Sequence, residues 1–68
     1  GLEDCVVHPD HRRRGVGEKL LGHVLAQAKQ EGLLRVMLLT DGDNARAQAL
    51  YRKLGFAPSS MLAMRLKL

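Results

Sequence analysis

Residues 11 to 17 read HRRRGVG, which sets Arg12, Arg13 and Arg14 directly against Gly15, Val16 and Gly17. Arginine carries a permanent charge and a forked set of N–H donors that match phosphate oxygens. Glycine carries no side chain, so a ligand can come close to its amide N–H. Together they suit a phosphate or pyrophosphate, above all where a helix begins beside them. A helix start offers N–H groups without acceptors and the positive end of the helix dipole. A helical repeat does follow, with Leu20, Leu21, Val24, Leu25 and Ala28 at the right spacing. The competing reading is a shaped turn with solvated arginines. The placement of the whole group between a strand and a helix favours the anion site.

Other phosphate motifs fit less well. A P-loop needs Lys and then Ser or Thr after its last glycine, and here Glu18 follows Gly17. A dinucleotide fingerprint needs a third small residue where Leu20 stands.

A second group lies in NARAQALYRKLGF, residues 44 to 56. Asn44 can cap a helix with its side-chain oxygen and still present an amide N–H to a ligand. Tyr51 follows about two turns later on roughly the same face. Its phenol can pack as a core ring or donate a proton, and both readings stand. His8 and His11 stand three apart in a loop with no third ligand, so no metal site is expected.

The elements that must position these groups read as β-α-β-α-β, an α/β (α+β) arrangement. Leu2 to His8 is strand-like, with β-branched Val6 and Val7 and with Pro9 as its stop. The run PDHRRRGVG reads as a loop, and a helix starts near Val16. Gly32 is placed to cap that helix in the left-handed conformation, with Leu33 as its apolar partner. Leu34 to Thr40 is an apolar run of strand length, the pattern of a strand covered on both faces. A second helix follows, capped by Asn44 or Asp43, and Gly55 caps its end with Phe56 folding back. The segment MLAMRLKL alternates imperfectly and reads as a final strand. A strand–helix–strand crossover makes the first two strands parallel, and such units bind ligands at the carboxyl ends of their strands. The arginine–glycine group lies there.

At 68 residues this is one small unit, with 46% apolar residues, 3% aromatic and a formal charge of +4. That charge favours an anionic partner. Nucleic acid is the weaker choice, since the cations cluster in a loop rather than along a recognition helix. No apolar run approaches the roughly 18 residues that cross a membrane. The single cysteine, Cys5, excludes an internal disulfide and points to a reducing, cytoplasmic setting.

The stretch VVHPDHRRRGVGEKLL resembles the cofactor motif of the GNAT superfamily of acyl-CoA-dependent N-acyltransferases, whose pattern of Arg or Gln, two residues, Gly, one residue and Gly or Ala is met by Arg12, Gly15 and Gly17. NARAQALYRKLGF is similar to the family's second motif at Asn44, Ala47, Leu50, Tyr51, Lys53, Gly55 and Phe56. The pair occurs in the family's order and covers nearly the whole chain. The chain resembles the C-terminal, cofactor-binding half of the family's domain, from its fourth strand onward, so residues 1–68 read as one partial domain.

The resemblance implies an acetyl-CoA-dependent transfer of an acetyl group straight to a primary amine. The acceptor would be a small molecule, a protein N-terminus or a lysine. Acyl-CoA would sit between two parallel strands that splay apart, with the backbone of Val6 and Val7 on its acyl and pantetheine portion. The N–H groups of Arg13, Arg14, Gly15, Val16 and Gly17 would hold the pyrophosphate, with Arg12 beside them. Asn44 would touch the pantetheine arm, and Tyr51 would protonate the departing thiolate. Glu3 is the candidate base, with an ordered water and a merely exposed Glu3 as the alternatives. The rival functions are a non-catalytic CoA-binding module and a small basic nucleic-acid binder. An unpaired edge on the first strand further predicts self-association.

Overall fold

The computed structural model describes residues 4–9 and 14–68, and at Arg14 the backbone only. The order is β1 (Asp4–Val7), α1 (Arg14–Gln30), β2 (Arg35–Leu38) and α2 (Ala45–Lys53). The two strands pair in parallel, in the register Asp4 to Arg35, Cys5 to Val36, Val6 to Met37 and Val7 to Leu38. The architecture is two parallel strands, each followed by a helix, as the resemblance leads one to expect. Asp4 and Arg35, opposite one another, also form an ion pair at 2.8 Å between Oδ1 and Nε. Both groups are solvated, so the pair contributes at most about 1 kcal/mol.

Both helices end as their glycines dictate. Gly32 has φ of 76° and Gly55 has φ of 102°, values that glycine adopts without a Cβ penalty. After α1, Leu33 N–H donates to Ala28 O at 2.9 Å and Gly32 N–H to Lys29 O at 3.2 Å. After α2, Phe56 N–H donates to Tyr51 O at 2.9 Å and Gly55 N–H to Arg52 O at 3.0 Å. These are two Schellman motifs, and each satisfies carbonyls that the helix end leaves without partners.

Burial is concentrated in a few side chains. Leu21 and Ala28, two turns apart on α1, and Tyr51 on α2 are each 5% exposed. Val24 and Leu25 are half-buried beside them, while Leu20, placed on the apolar face by spacing, is exposed. Among the described residues no helix is long and apolar enough to cross a membrane.

Three expectations are corrected. The helix does not wait for Val16: it is described from Arg14, so Gly15 and Gly17 lie within it rather than in a loop. Nor do the strands splay where they pair. The ladder runs one bond further, Leu39 N–H donating to Val7 O at 3.1 Å. The third strand is absent: Met61–Leu68 is neither paired nor covered, and its Met and Leu side chains are 76% to 108% exposed. A strand exists only against a partner edge, and alternation in sequence does not supply one.

Candidate functional site

The carboxyl ends of both strands lead to the amino ends of both helices, and a cleft of about 580 Å³ opens between those ends. One wall is Gly15, Gly17, Glu18 and Leu21 of α1; the other is Asn44 and the first two turns of α2. Tyr51 and Pro9 complete it.

The helix start explains what this cleft can hold. The N–H groups in the opening turn of a helix have no intrahelical carbonyl to reach, and Gly15 and Val16 lie at the described amino end of α1. Gly17 lies in the same described turn and carries no side chain. Neither Gly15 nor Gly17 has positive φ. A Cβ built on Gly15 would meet no described residue within 4 Å. Neither backbone angle nor packing therefore calls for glycine at 15, although glycine costs about 1 kcal/mol against alanine inside a helix. What remains is open space above bare amides, which fits the diphosphate of a cofactor. Neither helix has an acidic residue in its first turn, although Glu18 lines the cleft one position further along α1.

α2 supplies the other wall through its cap. Asn44 Oδ1 accepts from Ala47 N–H at 3.1 Å, and Asn44 O accepts from Gln48 N–H at 3.1 Å. The cap uses the oxygen of the amide and leaves its Nδ2 donor out of that bond. Gln48 then reaches back, its Nε2 donating to Asp41 O and Gly42 O at 3.0 Å each. This ties the β2–α2 loop to the helix and fixes where Asn44 stands.

Tyr51 closes the inner end. It sits in the last turn of α2, with its ring 6.3 Å from that of Phe56 in an edge-on arrangement at 76°. Phe56 is the apolar residue that the Gly55 cap folds back, so the cap also holds the tyrosine ring. Burial raises the Tyr51 phenol above its ordinary pKa of 10.0, and a hydrogen bond with the Thr40 side chain acts in the opposite direction. The phenol is thus a proton donor at neutral pH.

The remaining predicted residues fall as follows. Val6 is exposed and Val7 half-buried. Since a strand residue turns its N–H and C=O the same way, the Val7–Leu39 bond places the backbone of Val7 on the β2 side and that of Val6 on the opposite edge. Among the described residues no strand pairs with that edge. Val16 is exposed in the first turn of α1. Glu3, Arg12 and Arg13 lie outside the described residues, and of Arg14 only the backbone is placed.

Two residues were missed. Arg46 lines the cleft from the first turn of α2, where a cation opposes the helix dipole. That misplacement is a sequence signal for a nearby anion. Thr40, bonded to Tyr51, was readable as the polar residue ending an apolar run at the carboxyl end of a parallel strand.

The acetyltransferase (GNAT) family model matches residues 1–56. The chain is 40% identical over 55 residues to the [Ribosomal protein bS18]-alanine N-acetyltransferase of Salmonella typhimurium, covering 81% of this chain and 37% of that protein. It is 48% identical over 50 residues to the mycothiol acetyltransferase of Saccharomonospora viridis, covering 74% of this chain and 16% of that protein. An uncharacterized N-acetyltransferase of Bacillus subtilis, YobR, is 36% identical over 67 residues, 98% of this chain and 27% of its own length. The chain thus spans little more than a third, at most, of these relatives. No solved structure matches.

Proposed function

This chain belongs to the acetyltransferase (GNAT) family, and on that premise we propose that it binds acetyl-CoA and passes the acetyl group directly to a primary amine. As an N-acetyltransferase it needs a cofactor site and an acid for the leaving thiol, and the cleft provides a place for each. The observation that carries the reading is the convergence of two helix amino ends on one cleft, with Gly15 open to it and Tyr51 at its inner end.

The amides of Arg14, Gly15 and Val16 bind the diphosphate, with Arg12 and Arg13 adding charge from the preceding residues and Gly17 leaving room. Asn44 Nδ2 donates to a carbonyl of the pantetheine arm. Val7 receives an amide from that arm only when its bond to Leu39 opens, and Val6 borders the acyl end. The acceptor nitrogen attacks the thioester carbon, the C–S bond breaks, and Tyr51 gives its hydroxyl proton to the sulfur. Glu3, or a water it orders, takes the proton lost by the amine. Acetyl-CoA supplies the activated acyl group. The protein supplies position and charge stabilisation, which account for most of the acceleration.

The acceptor is a primary amine on a protein or a small molecule; the relatives' names cover a ribosomal protein and mycothiol. The lone cysteine suits a cytoplasmic setting. Among the described residues no strand pairs with the outer edge of β1, which favours association of this chain with itself. A second reading is a cofactor-binding unit without turnover of its own, resting on the same cleft.

Acetyl-CoA at about 100 times its Kd should stabilise the fold by about 2.7 kcal/mol, read as a rise in Tm. Thiol release should then follow on addition of amines. No rise in Tm overturns both readings; a rise without thiol release across protein, peptide and small amines leaves the second.

A further inference from the structure

We propose that Thr40 is a positioning residue for Tyr51: its hydroxyl donates to the phenol oxygen and holds it on the wall between the cleft and a second cavity. That second cavity, about 260 Å³, lies between β2, α2 and residues 56–59, and Thr40 and Tyr51 both line it. Tyr51 also lines the first cleft, so its ring separates the two.

The arrangement is built from both sides. A tyrosine only 5% exposed needs a partner for its hydroxyl. The ring is already held by the Gly55 cap and the edge of Phe56, which leaves the hydroxyl as the group still to be placed. Thr40 is itself pinned through its neighbours. Leu39 N–H is bonded to Val7 O, and Asp41 O accepts from the Gln48 side chain. Thr40 therefore links the end of the sheet to the last turn of α2.

The chemical consequence is a better acid. A donor to the phenol oxygen favours the ionised form, and so offsets part of what burial does to Tyr51. The charged groups that share its cavities are Glu18 from α1 and Arg46 and Arg52 from α2, while β2 and residues 56–59 bring none. For its catalytic meaning this rests on the reading of Tyr51 as the proton donor.

The test uses the fact that the chain has one tyrosine and no tryptophan, so the alkaline absorbance change of ionised phenol reports Tyr51 alone. Thr40→Val keeps the shape and removes the donor. Its phenol should titrate at higher pH than in the wild type, while Thr40→Ser titrates as the wild type does. For acetyl transfer, kcat should fall about 3- to 10-fold in Thr40→Val, with little change in KM for acetyl-CoA and recovery in Thr40→Ser. An unmoved midpoint in Thr40→Val overturns the proposal. So does a midpoint that falls to the ordinary tyrosine value, because Thr40 would then be holding the fold and not the hydroxyl. Undiminished turnover in Tyr51→Phe would instead remove the donor reading and leave the titration result standing.

Discussion

Gly32 and Gly55 close the carboxyl ends of the two helices, whereas Gly15 and Gly17 stand in the opening turns of α1. The first pair have φ of 76° and 102°, and side-chain-bearing residues rarely adopt either. The second pair have no such angle. At Gly15, Gly32 and Gly55 alike, a Cβ would meet no described residue within 4 Å, so steric room does not distinguish the pairs. Backbone angle does. Two glycines are demanded by the fold; Gly15 is demanded by neither angle nor packing among the described residues, which leaves it free for the proposed cofactor contact.

The comparison breaks most visibly at Gly15. Gly15→Val should lower acetyl-CoA affinity about 10- to 100-fold, the loss of one charge-assisted N–H contact. Its Tm should stay close to that of the wild type, because valine is no worse than glycine in a helix. Calorimetric titration beside a melting curve checks both, and unchanged affinity would return Gly15 to the role of a turn residue. Gly55→Ala should do the reverse. It forces alanine into the left-handed region at about 1–2 kcal/mol, which lowers Tm by several degrees in a domain of this size. Affinity, measured well below the new Tm, should change little. A Gly55→Ala variant as stable as the wild type would mean that the cap re-forms at another angle. The smallest effect is expected at Asn44, which serves fold and ligand together. Asn44→Ser keeps a capping oxygen and loses Nδ2, so stability should shift by a few tenths of a kcal/mol while affinity falls about 2- to 10-fold. If stability falls and affinity does not, Asn44 is a cap and nothing more.

Local chemistry was the legible part. Both Schellman ends and the Asn44 cap follow from single residues and their immediate neighbours, and the structure places them where the sequence does. The parallel pairing was legible too, through the crossover rule. The start of α1 was not. A glycine-rich stretch has low helix propensity, and its helical state is set by context. The Thr40–Tyr51 bond and the Val7–Leu39 bond join residues on different elements, which no periodicity reports. The final strand failed for a related reason. The alternation in Met61–Leu68 is present, but strand formation depends on an edge that the sequence of the strand itself does not describe.

That terminal segment has a consequence of its own. Leu62, Met64, Leu66 and Leu68 fall on one side of an extended chain, with Arg65 and Lys67 on the other, and the segment contains no proline. Its composition is that of a steric zipper interrupted by two cationic gatekeepers. Stacked in register, copies would bring each cation within about 4.8 Å of its counterpart, and that repulsion opposes fibril growth. Salt weakens the guard, since the screening length contracts from about 10 Å at 0.1 M to about 3 Å at 1 M. Concentrated salt should therefore favour self-stacking of this segment and dilute buffer oppose it, which thioflavin fluorescence against salt concentration would read.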